Sequence, residues 1–214
     1  MGLAEVQRSI LDVLQKNTGL DSEFSDALTG TLTSAGTSIS GSGTMFASEV
    51  MVGDYIGNTT SGYRIVSGIA SDTELTVESA FDVEMVGSTT KITQIRKGLP
   101  KDEKITKIGK SLRLVSTATS EYDKEVPNRK VGAVYVFLLA IIFTDTDENS
   151  LEDRKAFYDK SVRNVIDMNP TFNGAVIGTT SLGQMIFTEH PLNPNINYAF
   201  AQLVVTRHET RGSR

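Results

Sequence analysis

The sequence contains no cysteine and only two histidines, His190 and His208. Without thiols there is no disulfide, no thiolate zinc site, no iron–sulfur cluster and no cysteine nucleophile. Two histidines alone do not complete a metal site, and no G-x-S-x-G nucleophile elbow accompanies them. We therefore expect a protein without enzymatic activity, cofactor or metal.

Long hydrophobic runs are also scarce. The longest, "VGAVYVFLLAIIF", spans residues 131–143 and is shorter than the roughly 18 residues that indicate a transmembrane helix. The N-terminal stretch "MGLAEVQRSILDVLQKN" has neither the basic start nor the apolar centre of a signal peptide. These features predict a soluble, intracellular protein that makes no contact with a membrane.

One glycine-rich stretch, "SGSGTMFASEVMVGDYI" at residues 40–56, invites comparison with phosphate-binding loops. A Walker motif needs a lysine after its second glycine, and none follows Gly41 or Gly43. A dinucleotide fingerprint needs a third glycine where Phe46 stands. The stretch therefore predicts a hairpin-forming loop between short strands.

The acidic stretch "DTDENSLED" begins like a calcium loop, with Asp145, Asp147 and Asn149 at alternating positions. Ser150 and Ala156 then stand where an EF-hand needs glycine and a bidentate glutamate. The acidic residues are better explained by the positive end of a helix dipole, with Ser150 as the N-cap of the following helix.

Composition changes abruptly along the chain. Nearly half of residues 29–95 are glycine, serine or threonine, none is proline, and short β-type runs alternate with turn signals. Residues 22–95 carry a net charge of −7, whereas residues 96–214 carry +3. The sequence predicts two structural units, an inserted all-β module at 27–95 and a body formed by 1–26 and 96–214.

The order of helix and strand patterns in the body predicts an α+β fold, with two helices packed on a mixed or antiparallel sheet. Residues 3–16 show the apolar spacing of an amphipathic helix, with Gly19 as its left-handed cap. Residues 150–169 show the second helical stripe, Leu151, Tyr158, Val162, Val165 and Ile166. The run 131–143 is apolar on both alternating faces and predicts a strand covered on both sides.

The basic stretch 96–113 carries seven basic and two acidic residues. It lacks the interleaved aromatic rings of a single-strand nucleic-acid site. A solvated crossing or a salt-bridged contact between subunits is the better interpretation. The candidate interface residues are Arg96, Lys97, Lys101, Lys104, Lys107, Lys110 and Arg113.

The order of elements outside the insertion resembles the tail terminator proteins of long-tailed bacteriophages. The matching segments are "AEVQRSILDVLQKN", the long apolar strand, "SLEDRKAFYDKSVRNVI" and "NYAFAQLVVTRHE". The insertion resembles a small β-module that recurs in phage structural proteins, through Gly43, Thr44, Phe46, Gly53 and Asp54. A plain terminator has no such insertion.

The resemblance implies a virion protein that is assembled in the host cytoplasm. It would form a six-fold ring at the neck, end the tail tube and join it to the head connector. Its partners would be copies of itself, the tube protein and connector proteins, with DNA passing through the lumen without sequence-specific binding. The alternatives are another neck component, such as a tail-completion or head–tail adaptor protein, or a carbohydrate-binding decoration protein, which would need exposed aromatic side chains on its β-module.

Overall fold

The computed structural model describes residues 3–99, 110–124, 130–144, 148–174, 180–191 and 193–210. It shows an α+β fold with two mainly antiparallel sheets, which confirms the predicted fold class. The chain divides into two compact units. The first unit contains Met1–Val13 and Lys97–Arg214, and the second contains Leu14–Arg96.

Within the described ranges, the helices are α1 (Leu3–Lys16), α2 (Thr18–Phe24), α3 (Phe46–Glu49) and α4 (Glu148–Met168). The strands of one sheet are β1 (Ser25–Ala27), β2 (Thr31–Ala35), β3 (Ser38–Ser42), β4 (Tyr55–Asn58), β5 (Gly62–Ile69), β6 (Glu74–Val77) and β7 (Lys91–Thr93). The strands of the other are β8 (Ile95–Lys97), β9 (Lys110–Lys124), β10 (Lys130–Thr144), β11 (Thr180–Leu182), β12 (Ile186–His190) and β13 (Asn193–Thr210).

The six-stranded sheet runs in the order β11-β13-β10-β9-β8, with β12 also paired to β13. Its centre is the long apolar strand β10, which pairs antiparallel with both β9 and β13. Helix α4 packs on one face of this sheet, where the rings of Phe143 and Tyr158 meet edge to face at 5.0 Å between centroids. The predicted stripe of α4 is buried at Tyr158, Val162, Val165 and Ile166.

The second unit is a seven-stranded sheet in the order β1-β7-β4-β5-β6-β3-β2. Residues 85–90 hydrogen bond to the outer edge of β2 and to Leu28, so the sheet nearly closes on itself. The apolar faces of the strands enclose a core of their own, in which Phe46 and Ile56 are fully buried. This alternation of buried and exposed side chains is what the sequence of the module predicts.

A buried carboxylate joins three elements of the second unit. Asp21 of α2 is 3% exposed and accepts hydrogen bonds from the Tyr63 hydroxyl, from Ser25 Oγ at 2.9 Å and from Lys91 Nζ at 2.8 Å. Burial raises the pKa of the Tyr63 phenol well above its ordinary value, and the hydrogen bond to Asp21 raises this pKa further. Asp21 therefore ties α2 to β5 and β7.

The boundary of the second unit lies earlier in the chain than the predicted residue 27. Residues 14–26 belong to this unit because the residues to which they are hydrogen-bonded lie in it. Gln15 Nε2 donates to Ile95 O at 2.8 Å, β1 pairs with β7, and Asp21 contacts Tyr63 and Lys91. The sequence could not show these contacts, because the partners lie 42 to 80 residues away.

A fragment of residues 14–96 is expected to fold alone, whereas one of residues 27–95 is not. The shorter fragment lacks Leu20 and Phe24, which are buried, and also Asp21. Burial of one such apolar side chain contributes about 1.5–3 kcal/mol, so the loss approaches the total stability of a small domain. Thermal unfolding followed by circular dichroism compares the two. Equal melting temperatures would show that residues 14–26 are not part of the second unit.

Three local predictions were wrong. Gly19 does not cap α1 but lies inside α2, which begins after Asn17 because the Asn17 side chain accepts from Leu20 N at 3.1 Å. Residues 40–56 do not form a hairpin, since β3 is followed by α3 and pairs with β2 and β6 rather than β4. Ser150 is not an N-cap, since α4 already includes Glu148.

Candidate interaction surface

The two faces of the six-stranded sheet differ in how they are covered. On the face beneath α4, the side chains of β10 are buried along the strand, at Tyr135, Phe137, Leu139, Ile141 and Phe143. On the other face, Val134, Val136 and Leu138 are only half-buried, and burial is complete only at Ala140 and Ile142. Within the single chain, the first half of this second face is therefore only partly covered.

Strand pairing extends the exposed region across four strands. Leu138 is paired with Val115 of β9, Val136 with Val204 of β13, and Phe200 with Ile186 of β12. Paired residues of antiparallel strands point to the same face, so all of these side chains lie together. We call the set the open face: Val115, Val134, Val136, Leu138, Ile186, Phe200 and Val204.

The open face is mainly apolar, but Gln202, which is paired with Leu138, and Ser181, which is paired with Val204, are exposed polar side chains on the same side of the sheet. Ile186 is 64% exposed, and Phe200 is half-buried with its ring stacked on Tyr198 at 5.6 Å between centroids. Strand register also places Arg113 on this side of the sheet, paired with Ala140. It is the charged residue among the described side chains of this side, and it is buried. The water-facing side of a sheet normally carries mostly polar residues, so the many apolar side chains here make the open face a candidate interaction surface.

The dimensions of a sheet give the size of the open face. From Val134 to the level of Phe200 it covers about six residues along the strands, or about 20 Å, at 3.3 Å per residue. Three strand spacings of 4.8 Å make it about 14 Å wide. This gives a footprint of about 300 Å², of which the exposed apolar area is only a part, because the footprint includes the polar Gln202 and the buried Ala140 and Arg113.

The predicted basic interface residues do not form one surface in the described part of the chain. Arg96 is paired within the second unit, where Nη1 contacts Asp54 Oδ1 at 2.9 Å and Nε donates to Thr93 O at 3.0 Å. Lys97 is exposed, Lys110 is half-buried and Arg113 is buried. Lys101, Lys104 and Lys107 lie outside the described residues.

The other candidate residues are scattered. His190 ends β12, with its ring 5.7 Å from that of Tyr198, whereas His208 lies in β13 opposite Gly132. Asp145 and Asp147 fall outside the described residues, and Asn149 lies in the first turn of α4. No group of three or more acidic, histidine or cysteine side chains suited to a metal ion occurs among the residues that the structure describes.

The aromatic side chains of the second unit do not offer a sugar-binding platform. The described region 27–95 contains Phe46, Tyr63 and Phe81, which are buried in its interior. Tyr55 is half-buried, with the guanidinium of Arg96 5.9 Å from its ring centroid. The exposed rings that a carbohydrate-binding module would need are therefore not found in this region.

Comparison with known proteins adds no assignment. No protein-family model and no curated protein matches the sequence. Among the described residues, no helix has the length and apolar character needed to cross a bilayer. A functional interpretation therefore depends on the open face and on the order of elements.

Proposed function

We propose that this protein is a structural subunit of the neck of a long-tailed bacteriophage. Copies form a ring that ends the tail tube and joins it to the head connector. The observation that carries the proposal is the open face, a mainly apolar surface on the side of the sheet opposite α4. Such a surface is stabilised when another protein covers it.

The order of elements supports the same interpretation. An N-terminal helix, long paired strands, a helix packed on the sheet and a closing strand resemble the tail terminators in arrangement. The second unit is acidic, with a net charge of −6 over residues 14–96 from ten acidic and four basic residues. Electrostatic repulsion keeps such a surface from holding DNA phosphates, which suits a module on the outside of a channel for DNA.

The purified protein is expected to form closed rings, most simply of six copies, because each copy buries its open face only when it has a neighbour. Mass photometry gives the number of copies, and negative-stain electron microscopy shows whether the particle is closed. Added to polymerising tail tube protein, the rings are expected to sit at tube ends and stop elongation. A head–tail adaptor would leave tube length unchanged.

A result against the proposal would be a monodisperse monomer that persists at high concentration and in the presence of tube protein. The length of tubes grown with and without the protein separates a terminator from another neck component. Electron microscopy of the rings mixed with isolated connector proteins tests whether the rings also bind the head connector.

A further inference from the structure

The turn that follows α4 contains the single Asn–Gly pair of the sequence, Asn173–Gly174. Every other asparagine is followed by a residue that carries a side chain. Both members of the pair are exposed, and they lie in the first unit of the chain. Before glycine, the side-chain amide of an asparagine is most easily reached by the next backbone nitrogen, because no side chain blocks the approach.

The backbone of this turn explains why asparagine and glycine stand there. Phe172, Asn173 and Gly174 adopt φ angles of +43°, +58° and +80°, three consecutive left-handed residues. Glycine adopts this conformation freely, and asparagine tolerates it better than most other residues. The Phe172 side chain is fully buried and anchors the turn. A Cβ added at Gly174 would meet no atom of the described residues within 4 Å, so there is space for the backbone to rearrange here.

The Asn173 side chain makes a contact that depends on its amide. Asn173 Nδ2 donates a hydrogen bond to Asp12 Oδ2 of α1 at 3.2 Å, between residues 161 positions apart in the chain. Asp12 is half-buried and belongs to the same unit as Asn173. An amide nitrogen can donate to a carboxylate, whereas a second carboxylate has no proton to donate and repels the first.

We propose that Asn173 is a site of spontaneous deamidation. The Gly174 backbone nitrogen attacks Asn173 Cγ, the bond from Cγ to Nδ2 breaks, and ammonia leaves with the proton that the backbone nitrogen gives up. The product is a five-membered succinimide ring, whose formation within one chain is favoured by proximity. Water then opens the ring at one of its two carbonyl carbons, which gives aspartate or isoaspartate. The reaction consumes water and needs no oxidant.

The product changes the contact between α1 and the turn after α4. Aspartate at position 173 replaces a hydrogen bond to Asp12 by repulsion between two carboxylates. Isoaspartate, in addition, lengthens the backbone by one atom within the run of left-handed residues. Deamidation is therefore expected to weaken the attachment of α1 in the first unit, whether or not the protein forms a ring.

Peptide mapping by mass spectrometry tests the site in the intact chain. The purified protein is incubated at neutral pH until a synthetic peptide of residues 170–176, kept in the same buffer, is deamidated. Electron-transfer fragmentation reads each asparagine separately and distinguishes isoaspartate from aspartate. We expect conversion at Asn173, while the exposed Asn164 and Asn195, which precede valine and isoleucine, keep their amides. A chain in which Asn173 keeps its amide after the peptide has reacted overturns the proposal.

Thermal unfolding of variants tests the consequence. Asn173→Asp is expected to lower the melting temperature by about 2–4 °C, as a repulsion between partly exposed charges should. Asp12→Asn combined with Asn173→Asp exchanges the two groups and is expected to recover this loss. Asn164→Asp adds the same charge on the exposed side of α4 and should melt like the unchanged protein. A double variant no more stable than Asn173→Asp would show that the contact with Asp12 is not what deamidation disrupts.

Discussion

Lysine in place of Val136 is expected to prevent ring assembly while the chain stays folded. Val136 lies in the middle of the open face, paired with Val204 and Ala118. In the separate chain, its half-buried position lets a lysine stem lie along the sheet with the ammonium in water, so unfolding stability should change by no more than about 1 kcal/mol. In the assembled state the same ammonium would be buried without a partner.

An unpaired charge buried at a contact costs several kcal/mol, and about 3 kcal/mol corresponds to a factor of about 100 in affinity. We therefore expect the concentration needed for assembly to rise at least about 100-fold, as read by mass photometry over a dilution series. Asn164→Lys on α4 adds the same charge at an exposed position and should assemble like the unchanged protein. Rings of normal stability in Val136→Lys would show that the open face is not the contact.

Replacing Asp21 by alanine is expected to destabilise the second unit by about 3 kcal/mol. The substitution leaves the buried Tyr63 hydroxyl without its acceptor and removes the partner of Lys91. An unsatisfied buried polar group costs about 1–3 kcal/mol, and a broken buried ion pair about 3–5 kcal/mol. Because Lys91 is 36% exposed and can reach water, the loss of the ion pair contributes no more than about 1 kcal/mol, and the two losses together come to about 3 kcal/mol.

Urea unfolding measures this loss, and Asp26→Ala provides the control. Asp26 is five residues away and exposed, so its replacement should change stability by no more than about 0.5 kcal/mol. Ultraviolet titration of the tyrosines provides an independent measurement, because the pKa of Tyr63 should fall when its hydrogen-bond acceptor Asp21 is removed. Equal unfolding midpoints for the two variants would show that Asp21 does not hold this unit together.

Periodicity along the sequence predicted the elements whose partners are simply apolar. Of the predicted stripe of α1, Val6, Ile10, Leu11 and Leu14 are buried and Leu3 is half-buried, and the long run 131–143 forms a strand. Both patterns report one physical property, the side of an element that avoids water. They need no knowledge of the partner.

Elements held by specific polar partners were less predictable. The start of α2 depends on the Asn17 side chain, and β1 exists because it pairs with β7, far along the chain. The outer edge of the short strand β2 is hydrogen-bonded to the backbone of residues 85–90. Local sequence contains no signal for these distant hydrogen-bond partners.

The open face lies between these two cases. The alternation in β10 showed that Val134, Val136 and Leu138 share one side of a strand. It could not show that Phe200 and Ile186 lie on the same side of the sheet, because this depends on the register of β10, β12 and β13. Nor could it show that α4 covers only the opposite side.

The pairing of β10 with β13 has a mechanical consequence. All fifteen residues of β10, from Lys130 to Thr144, are in unbroken register with β13. Hydrogen bonds between antiparallel strands lie perpendicular to the strands, so a pull along them loads the whole ladder in shear at once. Separating these strands by such a pull requires many bonds to break together, whereas a pull across them would open the ladder one bond at a time.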